Sequence, residues 1–376
     1  MNADRLEVSR QPITEPMRLR AVWQDLEGRA APTVFLSWQW LGHWLEVYRP
    51  RAELLTVCEG DRIVGLGIVV PTEERRHGLL RSRCLRLHQT GYRHQDQIWI
   101  EYNGFLAEKG QETAVAEACL GYLCKQMPDW DEFIIGAINA GEAEHLARQA
   151  DLHSHLRWEA PCFGVDLNAL RASGQYYLDT LSRNTRHQIN RAYRLYENRG
   201  PVRLVRPDTV SEALSIFDGI GPLHLHRWGA GPDQSGYANP DFVRFHRSLI
   251  RDQWARGGVD LVSLQAGEEV IASFYNLLYG QNVYFYLGGM QTEPDNRLKP
   301  GLLGHSLCIE DYRQHGFHYY DFMGGDERYK SQLGSFHSQL VQVSLQRSRF
   351  KLRLEDVMRN ARNRLRPEFD GRAKGK

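Results

Sequence analysis

A carboxylate lies close to a glycine turn in HYYDFMGGDERYK, residues 318–330. The alternation of a strand puts Asp321 near the end of an apolar run, where loops gather functional groups. Gly324 and Gly325 permit a sharp turn. That turn would bring back further reactive side chains towards the same cleft: Asp326, Glu327, Tyr329 and Lys330. Such a set could move protons. Alternatively, it is a structural turn held by a pair of Asp321 with Lys330 or Arg328.

Two other segments carry groups that could bind or react. Basic side chains recur at helical spacing on one face: Arg183, Arg186, His187, Arg191 and Arg194. Guanidinium groups on such a face could hold a phosphate bidentately, or they form the solvated face of an arginine-rich helix. In LHLHRWG, residues 223–229, His226 could act as a general base and Trp228 as a pocket wall, or both could lie at a helix end without a chemical role. A metal site is disfavoured there, because His224 and His226 diverge on a helix.

Composition and missing motifs exclude several classes of function. The 376 residues carry 47 basic and 46 acidic side chains, a net charge of +1, so no global field favours nucleic acid or membrane. No apolar run is long enough to span a bilayer, and the first residues lack a signal core. The six cysteines form no C-x-x-C pair, and phosphate-loop, serine-hydrolase and zinc-protease motifs are lacking. We therefore expect a cytoplasmic protein with no metal.

An internal repeat organises the chain. Residues 54–67, LLTVCEGDRIVGLG, align without a gap with residues 261–274, LVSLQAGEEVIASF, at an offset of 207. Gly60 matches Gly267, and each copy reads as a β-hairpin with a glycine-acidic turn. A repeat at about half the chain length predicts two copies of one domain rather than a solenoid.

The flanks of the two hairpins extend the repeat. Each copy reads helix, helix, strand, strand, strand, helix, strand, which predicts an α/β fold of two tandem domains, each with helices packed on a mainly antiparallel mixed sheet. The predicted helices and outer strands are 14–30, 37–49, 83–89, 111–127 and 132–138 in the first copy, and 209–228, 239–256, 282–290, 300–315 and 318–323 in the second. A long helical stretch at 169–199 would connect the copies. The boundaries predict domains at 1–165 and 166–345 and a basic helical tail at 346–376 with a local charge of +7.

This order resembles the GNAT acyltransferase fold, and its doubling resembles the tandem-GNAT proteins. LSRNTRHQINRAYRLYE (181–197) is similar to the arginine-rich helix of the CelD-like acetyltransferases. YYDFMGGDERYKSQLGS (319–335) is similar to the signature of the same group. A more distant likeness is to the FemABX-type peptidyltransferases, which use aminoacyl-tRNA. The resemblance covers most of residues 35–345 and is specific over about 180–345.

The resemblance implies a donor site in the second copy, with acyl-CoA as co-substrate. Its pantetheine would lie beside the strand at 284–290 and its pyrophosphate at the start of the following helix, which favours anions. The residues implied in donor binding are Leu287, Gly288, Gly289, Arg297, Lys299, Gly301, Leu302 and Gly304. The usual GNAT phosphate motif has shorter spacings than Arg297, Gly301 and Gly304 have here.

The resemblance also implies a reaction, in which a neutral amine attacks the thioester directly. Asp321 is then the first candidate base, with His226 and Glu327 behind it, while Tyr329 would protonate the leaving thiolate. Lys330 would hold an anionic group or pair with Asp321. Substrate contacts are expected from Arg183, Arg186, His187, Trp228 and Tyr286.

The expected function is therefore an N-acyltransferase, with a first copy that is degenerate or shapes the acceptor site. The expected acceptor is a small molecule, an amino sugar or a peptide amine. Two alternatives stay open: an aminoacyl-tRNA-dependent ligase and a non-catalytic binding module. An acyl carrier protein is a further candidate donor, and the basic tail could contact an anionic membrane surface or RNA.

Overall fold

The computed structural model describes residues 6–76, 80–231, 234–355 and 357. The elements of the first half are, in chain order, β1 (Glu7–Pro12), α1 (Pro16–Glu27), α2 (Trp38–Tyr48), β2 (Glu53–Glu59), β3 (Arg62–Arg76), β4 (Leu80–Leu87), α3 (Arg93–Asp96), β5 (Leu106–Ala107), α4 (Glu112–Gln126), β6 (Glu132–Asn139), α5 (Ala140–Gln149) and β7 (His153–Asp166).

The second half continues with a second set of helices and strands. They are α6 (Leu167–Ser173), α7 (Tyr177–Thr180), α8 (Arg183–Glu197), β8 (Val202–Val205), α9 (Val210–Trp228), α10 (Pro240–Gln253), β9 (Val259–Ala266), β10 (Glu269–Tyr279), β11 (Asn282–Met290), α11 (Pro300–Gln314), β12 (Tyr319–Gly324), α12 (Arg328–Leu333) and β13 (Ser335–Gln346).

The predicted order of elements is confirmed in both halves. The repeated segments form the hairpins β2–β3 and β9–β10, whose turns hold Gly60 at φ 59° and Gly267 at φ 62°. Glycine adopts this left-handed backbone without the steric cost that a Cβ brings. In each half the next long strand then pairs in parallel with the strand after the helix, β4 with β6 and β11 with β12, while the other strand pairs are antiparallel. The α/β fold class is therefore the predicted one.

One sheet runs through both halves. Its strand order is β1-β2-β3-β4-β6-β13-β7-β12-β11-β10-β9-β8, with β5 paired to β3. The last strand, β13, therefore lies between two strands of the first half, while β7 pairs with β12 of the second. The two halves exchange a strand at the middle of the sheet. The domain boundary at residues 165 and 166 stays a prediction.

Helices cover both faces of the sheet. On one face, α1 and α2 of the first half pack with α9 and α10 of the second in a single buried core. Aromatic rings join the halves there: Phe245 lies 5.1 Å from Trp40 and 5.7 Å from Tyr48 between ring centroids. On the other face each half keeps its own core, with α4 and α5 in the first and α6, α8 and α11 in the second. The shared core fixes the position of one half against the other.

The single helix predicted over 169–199 is wrong. Three helices, α6, α7 and α8, occupy this stretch. Gly174 ends α6 in the left-handed conformation, at φ 66°, and the Ser182 hydroxyl starts α8 by accepting a bond from the Thr185 N–H. Local capping therefore overrides the continuous helical pattern.

Two further features are the cysteines and the tail. All six cysteines are free, and four of them are buried. Of the tail, residues 350–355 are helical, whereas residue 356 and residues 358–376 lie outside the described part, with most of the predicted basic charge. No described helix has both the length and the hydropathy that crossing a bilayer requires.

The two repeated turn glycines should respond differently to alanine. A Cβ on Gly60 would meet nothing within 4 Å, whereas one on Gly267 would lie 2.5 Å from the Arg199 carbonyl oxygen. We expect Gly60→Ala to lower the free energy of unfolding by about 1 kcal/mol, the cost of the left-handed backbone alone. Gly267→Ala adds a clash and should cost about 2–4 kcal/mol. Urea denaturation measures both, and equal losses would contradict the packing at Gly267.

Candidate functional site

The parallel strands β11 and β12 diverge and open a cavity. They pair only from Asn282–Tyr284 with Tyr319–Asp321. Tyr286 is an extra residue in β11, because Tyr275 of β10 pairs with Leu287 while Asn276 pairs with Phe285. Such a bulge bends a strand away from its neighbour. A cavity of about 730 Å³ lies where the strands separate, a volume in the range of small-molecule sites.

The start of α11 forms one wall of this cavity. Lys299, Pro300, Gly301 and Leu302 line it. No described side chain caps the helix. The Leu303 N–H donates a hydrogen bond to the Lys299 carbonyl oxygen, at the first turn of the helix. The earlier N–H groups have no partner within the helix, so this end favours a negative charge. A Cβ on Gly301 would have only the Met290 side chain near it, at 3.8 Å, which leaves its backbone open to a ligand.

Three residues expected to bind the donor lie outside the cavity. Arg297 is exposed and paired with Asp295 at 2.7 Å. A Cβ on Gly289 would lie 3.1 Å from the Ile220 backbone, so this glycine lets α9 approach the sheet. A Cβ on Gly304 would lie 2.3 Å from the Phe274 ring, so this glycine seats α11 on β10. Leu287 and Gly288, by contrast, line the cavity as expected.

Asp321 does not line the cavity. Its carboxylate is buried and accepts hydrogen bonds from the Tyr102 hydroxyl and from the Met323 N–H, both at 2.7 Å. Met323 adopts φ 61° at a bulge in β12, so Asp321 stabilises a strained turn. Within the described chain, Asp321 forms neither of the pairs proposed for it, with Lys330 or with Arg328.

The other residues of the predicted turn do reach the cavity. Glu327, Tyr329 and Lys330 line it. The Lys330 ammonium is buried, donates to the Gly324 carbonyl at 2.7 Å and lies 3.2 Å from the Glu327 carboxylate. Burial raises the pKa of the Tyr329 phenol, which therefore keeps its proton at neutral pH.

A carboxylate from the first half, Glu101, completes this wall. Its Oε2 accepts a bond from the Gly324 N–H at 2.7 Å, and the side chain is buried. No described residue donates a hydrogen bond to its Oε1. Burial raises the pKa of Glu101 to about 7, against the opposing effects of the Gly324 N–H and the Lys330 charge. The sequence analysis did not single out Glu101, although it stands alone as an acidic residue within the apolar run IWIEYNGF.

The end of α9 forms another wall of the cavity. His224, His226, Arg227 and Trp228 line the cavity there. Burial and the Arg227 charge lower the pKa of His224 to about 4, and its Nδ1 lies 2.8 Å from the Ser235 hydroxyl. His224 is therefore neutral at pH 7. The helix end predicted at Trp228 is confirmed.

Of the expected substrate contacts, Trp228 and Tyr286 line the cavity. The Tyr286 hydroxyl is already held by His246, at 3.1 Å, and by the Ile98 carbonyl. The α8 residues Arg183, Arg186 and His187 do not line it, and Arg186 pairs with Asp179 at 3.1 Å. The arginine face of α8 is thus separate from the cavity.

Comparison with known proteins agrees with this architecture. Residues 183–331 match the family model described as an acetyltransferase (GNAT) domain. No curated protein matches the chain. The CelD-like grouping stays a prediction.

Solved structures of similar fold cover nearly the whole chain. FemX is 10% identical, with a TM-score of 0.58 over 93% of this chain and 99% of its own. A conserved protein of unknown function from Bacteroides thetaiotaomicron is 11% identical, with a TM-score of 0.53 over 90% and 100%. The C-terminal domain of a putative lysylphosphatidylglycerol synthetase from Agrobacterium fabrum is 9% identical, with a TM-score of 0.51 over 92% and 96%. At such low identity the likeness shows the fold alone.

The raised pKa of Glu101 predicts a stability cost that grows with pH. A carboxyl with a folded pKa of about 7 and an ordinary value of 4.5 destabilises the folded state as pH rises between these values. Glu101→Gln removes that cost, so the variant should be more stable than the wild type at pH 8, by on the order of 1–3 kcal/mol.

The difference should disappear at pH 4, where both side chains are neutral. Denaturant unfolding at the two pH values measures it. Glu268→Gln, at a side chain that is 99% exposed, is the matched control and should show no such gain. A destabilised Glu101→Gln at pH 8 would contradict the assigned environment.

Proposed function

We propose that the protein is an N-acyltransferase that moves an acyl group from acyl-CoA to an amine. One observation carries the proposal: the buried Glu101 carboxylate, whose Oε1 accepts no hydrogen bond from the described residues, lines the same cavity as the uncapped N-terminus of α11. Transfer from a phosphate-bearing thioester to an amine requires a base and an anion site in the same cavity.

The residues around the cavity fit the donor. Lys299 and the first N–H groups of α11 would hold the pyrophosphate, with Gly301 allowing its close approach. Beyond Tyr284, the β12-facing edge of β11 has no strand partner among the described residues. That edge offers free backbone groups to an extended pantetheine arm, as a strand edge does to a peptide.

Glu101 acts as the base in this proposal. As the amine nitrogen bonds to the thioester carbonyl carbon, Oε1 of Glu101 accepts the amine proton. The carbon–sulfur bond then breaks, and Tyr329, which is protonated at neutral pH, can supply a proton to the sulfur. Lys330 positions the base and does not react. Its ammonium donates to the Gly324 carbonyl and so holds Gly324, whose N–H donates to the Glu101 carboxylate.

The alternative that uses aminoacyl-tRNA has one observation in its favour. The α8 face presents Arg183 and Arg194 to solvent, with Arg186 and Arg191 half-buried beside them. Such a face could contact a nucleic-acid backbone. A comparison of acyl-CoA with aminoacyl-tRNA as donors distinguishes the two functions. Stabilisation by neither donor would instead favour the non-catalytic module.

Glu101→Gln should lower turnover about 10²–10⁴-fold while leaving acyl-CoA affinity unchanged, because only the proton transfer is lost. With a weakly basic amine acceptor that is neutral above pH 5, the wild-type rate should rise with pH to a plateau, with a midpoint near the Glu101 pKa of about 7. Single-turnover rates and calorimetric acyl-CoA titrations test both points.

Glu327→Gln is the comparison variant in this experiment, since it removes a second carboxylate from the same cavity. It should retain more activity than Glu101→Gln and keep a pH-dependent rate, with the midpoint moved slightly down because the Glu327 charge helps to raise the Glu101 pKa. If Glu327→Gln alone abolishes turnover, the base is Glu327 and not Glu101.

Donor binding should depend on Lys299. Lys299→Glu should weaken CoA binding by about 1–3 kcal/mol, equivalent to roughly 5–150-fold, because a charge-assisted contact becomes a repulsion. Arg297→Glu makes the same charge change at a side chain outside the cavity and paired with Asp295, so it should weaken binding much less. Equal losses of CoA affinity in the two variants, measured by calorimetry, would mean that only the overall charge of the loop affects binding and that Lys299 makes no specific contact.

A further inference from the structure

The first half contains its own strand divergence, at the position that the repeat predicts. β4 and β6 pair in parallel from Cys84–Leu87 with Glu132–Ile135, and the chain then leaves β4 at His88, which adopts φ 51°. A second cavity, of about 290 Å³, lies beyond this point. Glu101 lines this cavity and the donor cavity alike. The same carboxylate thus faces the open ends of both strand pairs.

The second cavity is not a second donor site. No residue of α4 lines it, and the helix that does begin at its wall, α3 at Arg93, is only four residues long, so the cavity lacks a long helix N-terminus like that of α11. Its volume is less than half that of the donor cavity. Three carboxylates are among its walls, Glu74, Asp96 and Glu101, against two arginines, Arg86 and Arg93, so the lining has no excess of positive charge to attract an anion. The two copies of the repeat therefore have a cleft at the same position, but the residues that line the two clefts differ in charge and type.

Two of the three carboxylates in this wall already have hydrogen-bond or ion-pair partners within the protein for both of their oxygens. Glu74 is held by both Arg157 nitrogens, at 3.0 and 3.1 Å, and by Arg86. Asp96 accepts bonds from the Thr90 and Gly91 N–H groups, at 2.7 and 2.8 Å. These pairs make the wall rigid and leave other atoms to meet a ligand.

Two acceptor oxygens remain without a donor among the described residues, and the first of them is buried. Gln89 is 9% exposed, and its Oε1 has no hydrogen-bond partner. The second is Oε1 of Glu101. Leaving a buried acceptor unpaired costs on the order of 1–3 kcal/mol. A ligand rich in N–H and O–H donors would recover this cost, whereas a phosphate or a carboxylate would not.

Two indole rings form another part of the wall. Trp99 and Trp158 lie 6.3 Å apart between centroids, inclined at 41°. Trp99 is 53% exposed and adopts φ 47°, so a strained backbone holds a large apolar ring at the mouth of the cavity. An exposed aromatic ring beside hydrogen-bonding amides suits a sugar ring, which has apolar C–H faces and a rim of hydroxyl groups.

We propose that the second cavity binds the acceptor and that the acceptor is an amino sugar, whose ring packs on Trp99 and Trp158 and whose amino group points to Glu101. This inference rests on the proposed acyl transfer and adds the substrate class. The donor and the acceptor would approach Glu101 from the two halves, and the carboxylate between them would take the proton of the attacking amine.

The test measures sugar binding separately from catalysis. Glucosamine is titrated against the full chain, with tryptophan fluorescence and calorimetry as readouts. Trp99→Ala and Gln89→Ala should each raise the glucosamine Kd by about tenfold, the value of one lost hydrogen bond or ring contact. Both should leave the acetyl-CoA Kd unchanged. Tyr92→Ala, which removes an exposed aromatic side chain outside both cavities, is the matched control and should change neither constant.

The outcomes separate this inference from the function it rests on. If acetyl-CoA does not bind but glucosamine binds through Trp99 and Gln89, the acyl transfer is wrong and the sugar site stands. If acetyl-CoA binds and the two variants leave the glucosamine Kd and KM unchanged, the sugar site is wrong and the transfer stands. Preference for a lysine peptide over glucosamine as acceptor would also overturn the amino-sugar assignment.

Discussion

The site depends on one hydrogen bond between the two halves of the chain, from the Gly324 N–H to the Glu101 carboxylate at 2.7 Å. A buried carboxylate is costly unless it accepts hydrogen bonds. Here a single backbone donor and the nearby Lys330 charge offset part of that cost, and the remainder appears as the raised pKa of Glu101. A residue left in this intermediate condition can exchange a proton near neutral pH, which a fully paired carboxylate cannot do.

The surrounding structure serves to aim that N–H group. Asp321 holds Met323 in a left-handed conformation, and the resulting bulge turns Gly324 towards the first half. Tyr102 follows Glu101 in the chain, and its hydroxyl donates a hydrogen bond to the same Asp321 carboxylate. A Cβ on Gly324 would lie 3.3 Å from the Glu101 carboxylate, so glycine gives the closest approach. Asp321, expected to be the base, therefore positions the residue that we propose as the base.

The features that could be predicted from the sequence are those that a local pattern of residues controls. Both hairpins follow from a glycine-acidic turn between apolar runs, and α11 begins at Pro300, as its ring geometry favours. Glu101 escaped prediction because its significance lies in contacts with residues more than 200 positions away. The strand exchange of β7 and β13 also depends on long-range pairing that no local pattern records. The prediction of one long helix over 169–199 was wrong for the opposite reason. Gly174 and Ser182 are local signals for a helix end and a helix start, but the helical periodicity of the whole stretch was given more weight.

The strand exchange explains why two halves of one repeat can share a reactive group. Two domains joined only by a linker would move against each other, and a 2.7 Å bond between them would not persist. Here β13 pairs along β7 and β6, and the aromatic core of α2 and α10 joins the opposite face. The open ends of both strand pairs are thereby held against the same carboxylate. The second half keeps a helix N-terminus suited to anions, while the first presents indole rings and an unpaired amide oxygen suited to a neutral, donor-rich ligand.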